Sequence, residues 1–517
     1  MKKHNIQQKT ERRISAALRL VLAVVLLLAQ IALVFLLSHL LEKYVVIAYT
    51  ALELLAIVYA IRVYNRPGSS TYKPGWIVLI LALPVVGLIL YWLWSGDHQS
   101  KYLDLKKVAP PRQSPAQQDE SWSNIEKLRR ETPQWARLAT YLDGHDFPLF
   151  DRTQSRYFPS GEAYLDDMLM QMSKAERFIF MEYYIMAEGE IWHRLSKILT
   201  EKASQGVEVK LIFDDFGSMM RLHGEPLEVL KRAGVEIQVF NPVHHYVNRL
   251  YFNYRNHRKI TCIDGNVTYT GGVNIADEYA NIIERFGHWK DCGVRLEGEG
   301  AWGLCREFIR MWQRMGGAME HEDDYYRPDG RWEAQGYCQS FADGPDNNPL
   351  AVAEDTYLQL LNGARNMVYI TTPYLAISDG MMNALCMAAE SGVDVRLMVP
   401  GIPDHKFAYM AAECYFGELL CHGVKIYIYE PGLLHGKSVL VDREVAFVGS
   451  VNMDYRSFQL HFECGTVLYG APCLEELLED MDHIMARSRR LSYAEWQRRP
   501  WLHRVLGPVM KLFAMWM

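Results

Sequence analysis

The sequence predicts an α/β fold that is duplicated within one chain and preceded by the hydrophobic helices of a membrane anchor. Three observations support this prediction. Apolar runs of membrane-spanning length are confined to the first 96 residues, strand and helix patterns alternate from about residue 150, and segments of the second half repeat segments of the first. Two similar α/β halves pack naturally about a pseudo-twofold axis, so they are expected to share one site.

Three apolar runs form the predicted membrane anchor, residues 1–96; they lie at 20–41, 45–63 and 76–94. Each is close to the ~20 residues that a helix needs to cross a bilayer. No small-residue cleavage site follows the first run, which argues against a secretory signal. Glu53 interrupts the second run and proline interrupts the third, so two or three complete spans are expected. Basic residues flank the runs on both sides, so the side of the membrane on which the remaining chain lies is left open.

Charge is divided unevenly along the chain. Residues 1–96 carry ten basic and three acidic side chains, whereas the rest of the chain carries 45 and 58. A net charge of −13 argues against a nucleic-acid partner, since phosphate backbones require a basic groove. The nine cysteines include no C-x-x-C pair, which predicts buried free thiols instead of a zinc site or a disulfide scaffold.

The remaining chain is predicted to contain a linker and two halves. Residues 97–149 begin with a polar stretch rich in Pro, Gln and Ser and are interpreted as the linker. The first α/β half is expected over 150–330 and the second over 331–517. The end of the second half, 498–517, mixes Arg and Lys with Trp, Leu, Phe and Met. This segment is either an amphipathic element in the lipid interface or a helix packed on the domain, and the sequence favours neither.

One pattern recurs at a constant offset of 178 residues. HRKITCIDGNVTYTGGVN begins at His257 and HGKSVLVDREVAFVGSVN begins at His435, so each copy reads H-x-K-x4-D-x6-G-[GS]-x-N. In a strand, residues two apart share a face, which places Lys259 beside His257 and Lys437 beside His435. A single H-x-K pair is more often structural than catalytic. Two complete copies are far beyond chance, and they favour catalysis.

The residues after each hairpin turn complete a candidate site for a phosphate diester. The returning strand is expected to bring backbone N–H groups and amide side chains to the histidine face. The predicted phosphate-binding residues are Gly272, Asn274, Ser450 and Asn452. Lysine and asparagine would bind the non-bridging oxygens, while one imidazole attacks phosphorus and the other protonates the leaving oxygen. No metal and no cofactor are expected.

A nucleophilic imidazole must be neutral and held through its other nitrogen, usually by a carboxylate. Asp291 follows the first motif in HWKDCGV, and Glu463 follows the second in LHFECGT. Both precede Cys-Gly and an apolar strand, so they occupy equivalent places in the repeat. They are predicted to orient the histidines; the alternative is a pair of surface salt bridges.

The twin pattern resembles the HKD signature of the phospholipase D superfamily, and the chain as a whole is similar to its bacterial cardiolipin synthase branch. Residues 65–96 are similar to the membrane hairpin of that branch. FMEYYI, VKLIFDDFGS, FNYRNHRKITCIDG, GGVNIADEY, TTPYLAI, LLHGKSVLVD and GSVNMDYRSFQLHFE match its soluble segments. The run at 20–41 departs from the common two-span pattern and leaves the topology open.

The resemblance implies a metal-free transesterification in a bacterial cell membrane. Two molecules of phosphatidylglycerol give cardiolipin and glycerol through a phosphatidyl-histidine intermediate. The oligomeric state is left open. The catalytic residues of the family map here onto His257, Lys259, Asp264, His435, Lys437 and Asp442. By the same resemblance His257 is the nucleophile and His435 the general acid, whereas the turn positions of Asp264 and Asp442 predict a structural role.

Three other functions share these features. A hydrolase would use the same residues with water as acceptor, and other phosphatidyl transfers, for example to serine, would differ only in the acceptor pocket. A non-catalytic scaffold could use the phosphate site for lipid binding alone. Such a scaffold has no need of two complete motifs, which makes it the least consistent with the sequence.

Overall fold

The computed structural model describes most of the chain as two compact units. The described residues are 25, 28–30, 32–33, 36, 44–66, 73–94, 105, 115–218, 221–222, 224–242, 254–319, 322–326, 332–333, 335–346 and 350–513. The smaller unit lies within Met1–Tyr102. The larger unit runs from Leu103 to Met517, apart from Val247–Phe252. Most of the predicted first span, 20–41, lies outside the described residues.

The smaller unit contains helices α1 (Val45–Tyr64), α2 (Lys73–Ala82) and α3 (Pro84–Trp94). The predicted helix at 45–63 is confirmed. Within the described residues, Val46–Tyr64 is the one stretch long and apolar enough to cross a membrane.

The predicted single helix at 76–94 is wrong, because proline lacks the N–H that would continue it and the chain divides into α2 and α3. A Cβ atom added to Gly87 would lie 2.6 Å from the Cα of Ile80. Seven residues of straight helix would separate these positions by ~10 Å, so α3 turns back on α2.

The larger unit is built on two mixed β-sheets. The first sheet has seven strands in the order β1-β8-β7-β6-β2-β3-β4. They are β1 (Thr153–Phe158), β2 (Phe178–Tyr183), β3 (Glu208–Asp214), β4 (Glu236–Phe240), β6 (Lys259–Ile263), β7 (Val267–Gly271) and β8 (Gly293–Gly298), and β5 (Arg255–Asn256) joins the other sheet. Strands β2, β3 and β4, which end at one edge of the sheet, are parallel, and β6, β7 and β8 are antiparallel neighbours.

The second sheet repeats this order as β9-β17-β15-β14-β10-β12-β13, with β18 and β5 added. Its strands are β9 (Tyr337–Asp343), β10 (Met367–Thr371), β12 (Asp394–Pro400), β13 (Lys425–Tyr429), β14 (Ser438–Val441), β15 (Val445–Gly449), β17 (His461–Tyr469) and β18 (Ser488–Leu491), while β11 (Leu375–Ala376) and β16 (Met453–Asp454) form a separate pair. Ile260 pairs with Thr270, and Ser438 pairs with Val448, so the hairpin register repeats at the 178-residue offset. The predicted duplication is confirmed.

Helices cover the sheets. In the first half they are α4 (Pro115–Glu131), α5 (Pro133–Asp143), α6 (Gly161–Met172), α7 (Glu190–Ser204), α8 (Asp215–Ser218), α9 (Glu225–Arg232) and α10 (Ala301–Arg314). In the second half they are α11 (Val352–Gly363), α12 (Asp379–Glu390), α13 (Lys406–Cys421), α14 (Tyr455–Gln459), α15 (Cys473–Ala486), α16 (Tyr493–Gln497) and α17 (Trp501–Leu512). One buried apolar cluster contains side chains from both halves, so the halves share a core.

The predicted linker, 97–149, needs a correction, because α4 and α5 belong to this core. In α5, Trp135, Leu138 and Leu142 are buried at the spacing of one helix face. The indole Nε1 of Trp135 donates to Glu444 at 2.7 Å, next to the β14–β15 turn. Residues 115–143 are therefore part of the fold of the larger unit.

Two truncations test this boundary. We expect a chain that begins at Leu103 to fold as a soluble unit, and one that begins at Phe150 to fail, since it loses the buried face of α5. Removing a single buried tryptophan typically costs about 3–5 kcal/mol, and here a whole helix face is lost. Thermal unfolding followed by circular dichroism reads both results. A cooperative transition in the shorter chain would show that α4 and α5 are dispensable.

Candidate active site

The two motif histidines occupy equivalent places beside the sheets. His257 lies between β5 and β6, and His435 lies just before β14; both are buried. The side chain of each motif lysine contacts the histidine two residues earlier, as the strand period predicts. The Nζ of Lys259 donates to the carbonyl oxygen of His257 at 2.5 Å, and the Nζ of Lys437 donates to that of His435.

Each histidine is held by the carboxylate of the other half. The Nδ1 of His257 lies 2.9 Å from Oε1 of Glu463, and the Nδ1 of His435 lies 2.6 Å from Oδ2 of Asp291. Both carboxylates are fully buried, so they are not the surface salt bridges that the sequence left open. Because Nδ1 is occupied, Nε2 is the nitrogen of His257 that remains for chemistry.

Backbone pairing explains why the carboxylates cross between the halves. Strand β5, which leads into His257, is parallel to the start of β17, and the N–H of His257 donates to Phe462 at 2.8 Å. Reciprocally, the N–H of His435 donates to the carbonyl of Lys290 at 2.7 Å. Each histidine segment therefore lies directly beside the segment that carries the carboxylate of the other half.

The predicted phosphate-binding role of Gly272 and Ser450 needs a correction. Their backbone N–H groups donate to the carbonyls of Cys292 and Cys464, so they are already occupied within the sheets. Both residues serve the orienting carboxylates instead. The hydroxyl of Ser450 donates to Glu463, whereas a Cβ on Gly272 would collide with Asp291.

The two asparagines differ in their contacts. Asn274 accepts from the N–H of Ile185 at 3.0 Å through Oδ1 and donates to the hydroxyl of Tyr279 at 2.7 Å. Asn452 is buried, and its Oδ1 has no hydrogen-bond partner among the described residues. Phosphate binding by these amides stays a prediction.

The motif aspartates lie at the opposite ends of β6 and β14 from the histidines. Asp264 and Asp442 have φ angles of 54° and 53° in their turns. The carboxylate of Asp264 accepts backbone N–H groups just before β2, and that of Asp442 does the same just before β10. This geometry supports a structural role, and they take no part in the catalytic cluster.

Four ring side chains around the histidines were not predicted as site residues. Tyr184 stands edge-on to His257 at a centroid distance of 5.1 Å, and Tyr279 stands edge-on to His435 at 5.4 Å. Trp289 lies 5.3 Å from His435, and His461 lies 5.6 Å from His257. Trp289 and His461 each precede an orienting carboxylate by two residues, a spacing that could have identified them.

Burial and the paired lysines set the charge states of the site. Burial, together with Lys259 and Lys437, lowers the pKa of His257 well below its usual range. Burial and Lys437 also lower the pKa of His435, but Asp291 opposes them. Burial lowers the pKa of Lys259 to about 7 and that of Lys437 to about 8. His257 is therefore the histidine more strongly held neutral.

The buried charge on Lys259 should cost the protein stability. Below pH 7 Lys259 is charged in both the folded and the unfolded chain, so the full cost of burying its charge is present. Between pH 7 and about 10 only the unfolded chain keeps the proton. The free energy of unfolding therefore rises with pH over this range. We expect Lys259→Met to raise the unfolding midpoint at pH 6 by a few degrees, with a gain that shrinks towards pH 10. Thermal unfolding at both pH values measures it.

The control is Lys210→Met, because Lys210 is also buried but forms an ion pair with Glu208 at 2.8 Å. This variant should be less stable, since it removes the ion pairs of Lys210 with Glu208 and Glu236 and gains nothing from removing a buried, unpaired charge. If Lys259→Met lowers the midpoint at pH 6 as well, Lys259 stabilises the fold and the interpretation of its lowered pKa is wrong.

One group of possible metal ligands appears at the site, contrary to the expectation that the chain has none. Ligand atoms of His257, His461 and Glu463 lie within 4.8 Å of one another. However, Nδ1 of His257 and Glu463 already pair with each other, and the buried cations Lys259 and Lys437 lie close enough to affect His257. A divalent cation would add to this positive charge, so these residues do not fit a metal site.

Comparisons with known proteins agree with this geometry. A family model described as "Cardiolipin synthase, PLD-like domain" matches residues 168–284 and 357–485, one segment in each half. A second, described as "Phospholipase_D-nuclease N-terminal", matches 52–96. The cardiolipin synthase of Geobacillus kaustophilus is 34% identical, over 89% of this chain and 91% of its own. The major cardiolipin synthase of Bacillus subtilis is 31% identical, over 90% and 97%.

Among solved structures, phosphatidylserine synthase from Haemophilus influenzae has a similar fold. It aligns with a TM-score of 0.56 over 74% of this chain and 99% of its own, at 14% sequence identity. At this identity the likeness shows the α/β fold alone.

Proposed function

The chain belongs to the cardiolipin synthase family of phospholipase D-like proteins, and we propose that it transfers a phosphatidyl group from one phosphatidylglycerol to another, giving cardiolipin and glycerol. The observation that carries this proposal is the reciprocal pair of buried histidines, each held at Nδ1 by a carboxylate and each beside a lysine. Such a pair supplies a nucleophile and an acid on two sides of one phosphodiester.

In the first step, Nε2 of His257 attacks phosphorus and the P–O bond to the glycerol headgroup breaks. A P–N bond forms, and glycerol leaves with a proton from His435. Glu463 holds the His257 ring in the orientation for attack and stabilises the positive charge that develops on it. Lys259 and Lys437 stabilise the charge on the non-bridging oxygens, in a buried site where such interactions are strong.

In the second step, a glycerol hydroxyl of another phosphatidylglycerol gives its proton to His435 and attacks phosphorus. The P–N bond breaks, cardiolipin is released, and both histidines return to their starting states. Asp291 stabilises His435 in its protonated form, before the first step and after the second, which fits the smaller depression of its pKa. The assignment of His257 as nucleophile follows the resemblance of its motif to the HKD signature, and the lowered pKa that burial and the two lysines give it is consistent with a neutral, attacking imidazole.

The substrates are phospholipids, so the protein works at a membrane. We further propose that the N-terminal residues 1–96 are a multi-pass anchor in the cell membrane, supported by the helix Val46–Tyr64 and the apolar runs at 20–41 and 76–94. The halves at 150–330 and 331–517 then form one catalytic unit, to which residues 115–143 belong.

The decisive experiment supplies phosphatidylglycerol as the sole lipid. We expect equal amounts of cardiolipin and free glycerol, and an unchanged rate after treatment with a metal chelator, since the proposed steps use only side chains. Mass spectrometry of the products reads the result. Phosphatidic acid as the main product would make the protein a hydrolase, and loss of activity with chelator that added metal restores would contradict the metal-free steps.

A further inference from the structure

The C-terminal helix α17 is fixed to the catalytic unit by a narrow face. A Cβ on Gly507 would lie 2.8 Å from the Sγ of Cys414, so only glycine allows α17 to approach α13 this closely. The Nδ1 of His503 pairs with Glu413 at 2.6 Å, and the Nζ of Lys511 lies 4.2 Å from the ring of Tyr415. The helix is a packed element, as one of the two interpretations of the sequence expected.

The opposite face of α17 is apolar and exposed to solvent. Trp501 is 67% exposed, Val505 59% and Val509 44%, and Leu502 is exposed beside them. At 100° per residue these four positions fall within a stripe about 100° wide. A surface helix of a soluble protein normally turns its polar face outward, whereas the outward face of α17 is apolar. Exposed apolar patches of this kind mark contact with a membrane or another protein.

The charge around α17 favours an anionic lipid surface. Residues 487–513 carry seven Lys or Arg and one acidic residue, whereas residues 97–486 carry 38 basic and 57 acidic side chains. Arg498 and Arg504 are exposed on either side of Trp501. An apolar stripe flanked by arginines is the pattern of helices that lie in the interface of anionic bilayers.

Further exposed apolar side chains connect α17 with the active site. Phe407, 62% exposed, lies in the first turn of α13, one turn before Met410, whose carbonyl borders Gly507. Ile402 is also exposed, and a Cβ added to Gly287, in the loop that carries the exposed Ile282 and Ile283, would lie 3.1 Å from its Cδ1.

The segment between Ile402 and Phe407 borders the catalytic centre. The N–H of Ile402 donates at 3.1 Å to the carbonyl of Gly432, three residues before His435. Asp404 accepts from the hydroxyl of Tyr374 at 2.5 Å, and its charge partly opposes the lowering of the pKa of His435 and Lys437 by burial. Exposed apolar residues thus lie both on the segment next to His435 and along α17.

We propose that these residues form a lipid-binding surface by which the catalytic unit lies on an anionic bilayer. The lipid-binding surface consists of Ile282, Ile283, Ile402, Phe407, Trp501, Leu502, Val505 and Val509. It brings the His435 side of the site to the level of phospholipid headgroups, a role that rests on the proposed function. Lipid insertion itself does not depend on the reaction and can be measured separately.

The test places a nitroxide at Val505→Cys in the full chain, with the exposed Cys421 replaced by Ser. The matched control is Lys197→Cys, on the exposed side of α7. Both proteins are reconstituted in vesicles of phosphatidylcholine with and without phosphatidylglycerol. Electron paramagnetic resonance then compares collisions with oxygen, which concentrates in lipid, and with a water-soluble nickel chelate.

We expect the label at 505 to favour oxygen over the nickel chelate, more strongly with phosphatidylglycerol, while the label at 197 favours the chelate in every vesicle. Equal access of the chelate to both positions would overturn the proposal. Spin–spin broadening at 505 that disappears on dilution with unlabelled protein would also overturn it, by showing that a second copy of the chain covers the face. Lipid insertion without any cardiolipin formation would support the lipid-binding surface and contradict only the proposed function.

A second variant tests delivery of substrate. Val505→Glu with Val509→Glu puts charge on the outer face, and Gln497→Glu on α16 is the control. We expect about a tenfold lower rate on phosphatidylglycerol in vesicles, equivalent to about 1.4 kcal/mol, and an unchanged rate on detergent-dispersed substrate. An unchanged rate in vesicles, or an equal loss in detergent, would contradict a role of the surface in substrate delivery.

Discussion

His257→Ala should abolish both cardiolipin formation and any covalent intermediate, because no other described group is placed to attack phosphorus in its stead. His435→Ala should lower turnover by roughly a hundred- to ten-thousandfold, the usual contribution of general acid–base catalysis. The two variants separate on a diacylglycerol phosphodiester of p-nitrophenol, whose leaving group needs no proton. With this substrate the His435→Ala protein should still accumulate the adduct.

An alkaline denaturing quench preserves the P–N bond, and peptide mass spectrometry then locates the phosphatidyl group. The matched control is His461→Ala, which removes a neighbouring ring of the same type and should leave the adduct on His257. An adduct on His435 alone would reverse the roles. An adduct on neither residue, with normal cardiolipin formation, would show direct transfer between lipids and refute the two-step scheme.

Glu463→Gln should lower adduct formation by roughly 10²–10⁴-fold even with the activated substrate, because Glu463 holds the nucleophile from the other half. Asp291→Asn should spare adduct formation from that substrate and slow turnover of phosphatidylglycerol, because Asp291 holds the acid. Rapid-quench measurement of the adduct distinguishes the two. The opposite pattern would mean that each carboxylate serves the histidine of its own half.

Much of this site could be predicted from the sequence because a duplication compares the chain with itself. The strand period placed Lys259 beside His257, and equivalent positions in the repeat selected Asp291 and Glu463 among many carboxylates. Strand periodicity is a local property, so it predicts contacts between residues that are close in the sequence.

What the sequence did not reveal depends on pairing between distant segments. The exchange of Asp291 and Glu463 follows from β5 joining β17, a contact between residues about 200 positions apart in the chain. The N–H groups of Gly272 and Ser450 were predicted to face a phosphate because their own strands were known but their neighbours in the sheet were not. The helix α5 was missed because the polar composition around it hid a short apolar face.

The reciprocal hold of each histidine by the other half has a consequence for how this protein tolerates mutation. A gene duplication ordinarily leaves a spare copy that is free to vary. Here a defect in Asp291 disables the histidine of the second half, and a defect in Glu463 disables that of the first. The two copies therefore give no redundancy, and we expect a single inherited substitution at any of the four positions to impair the whole enzyme.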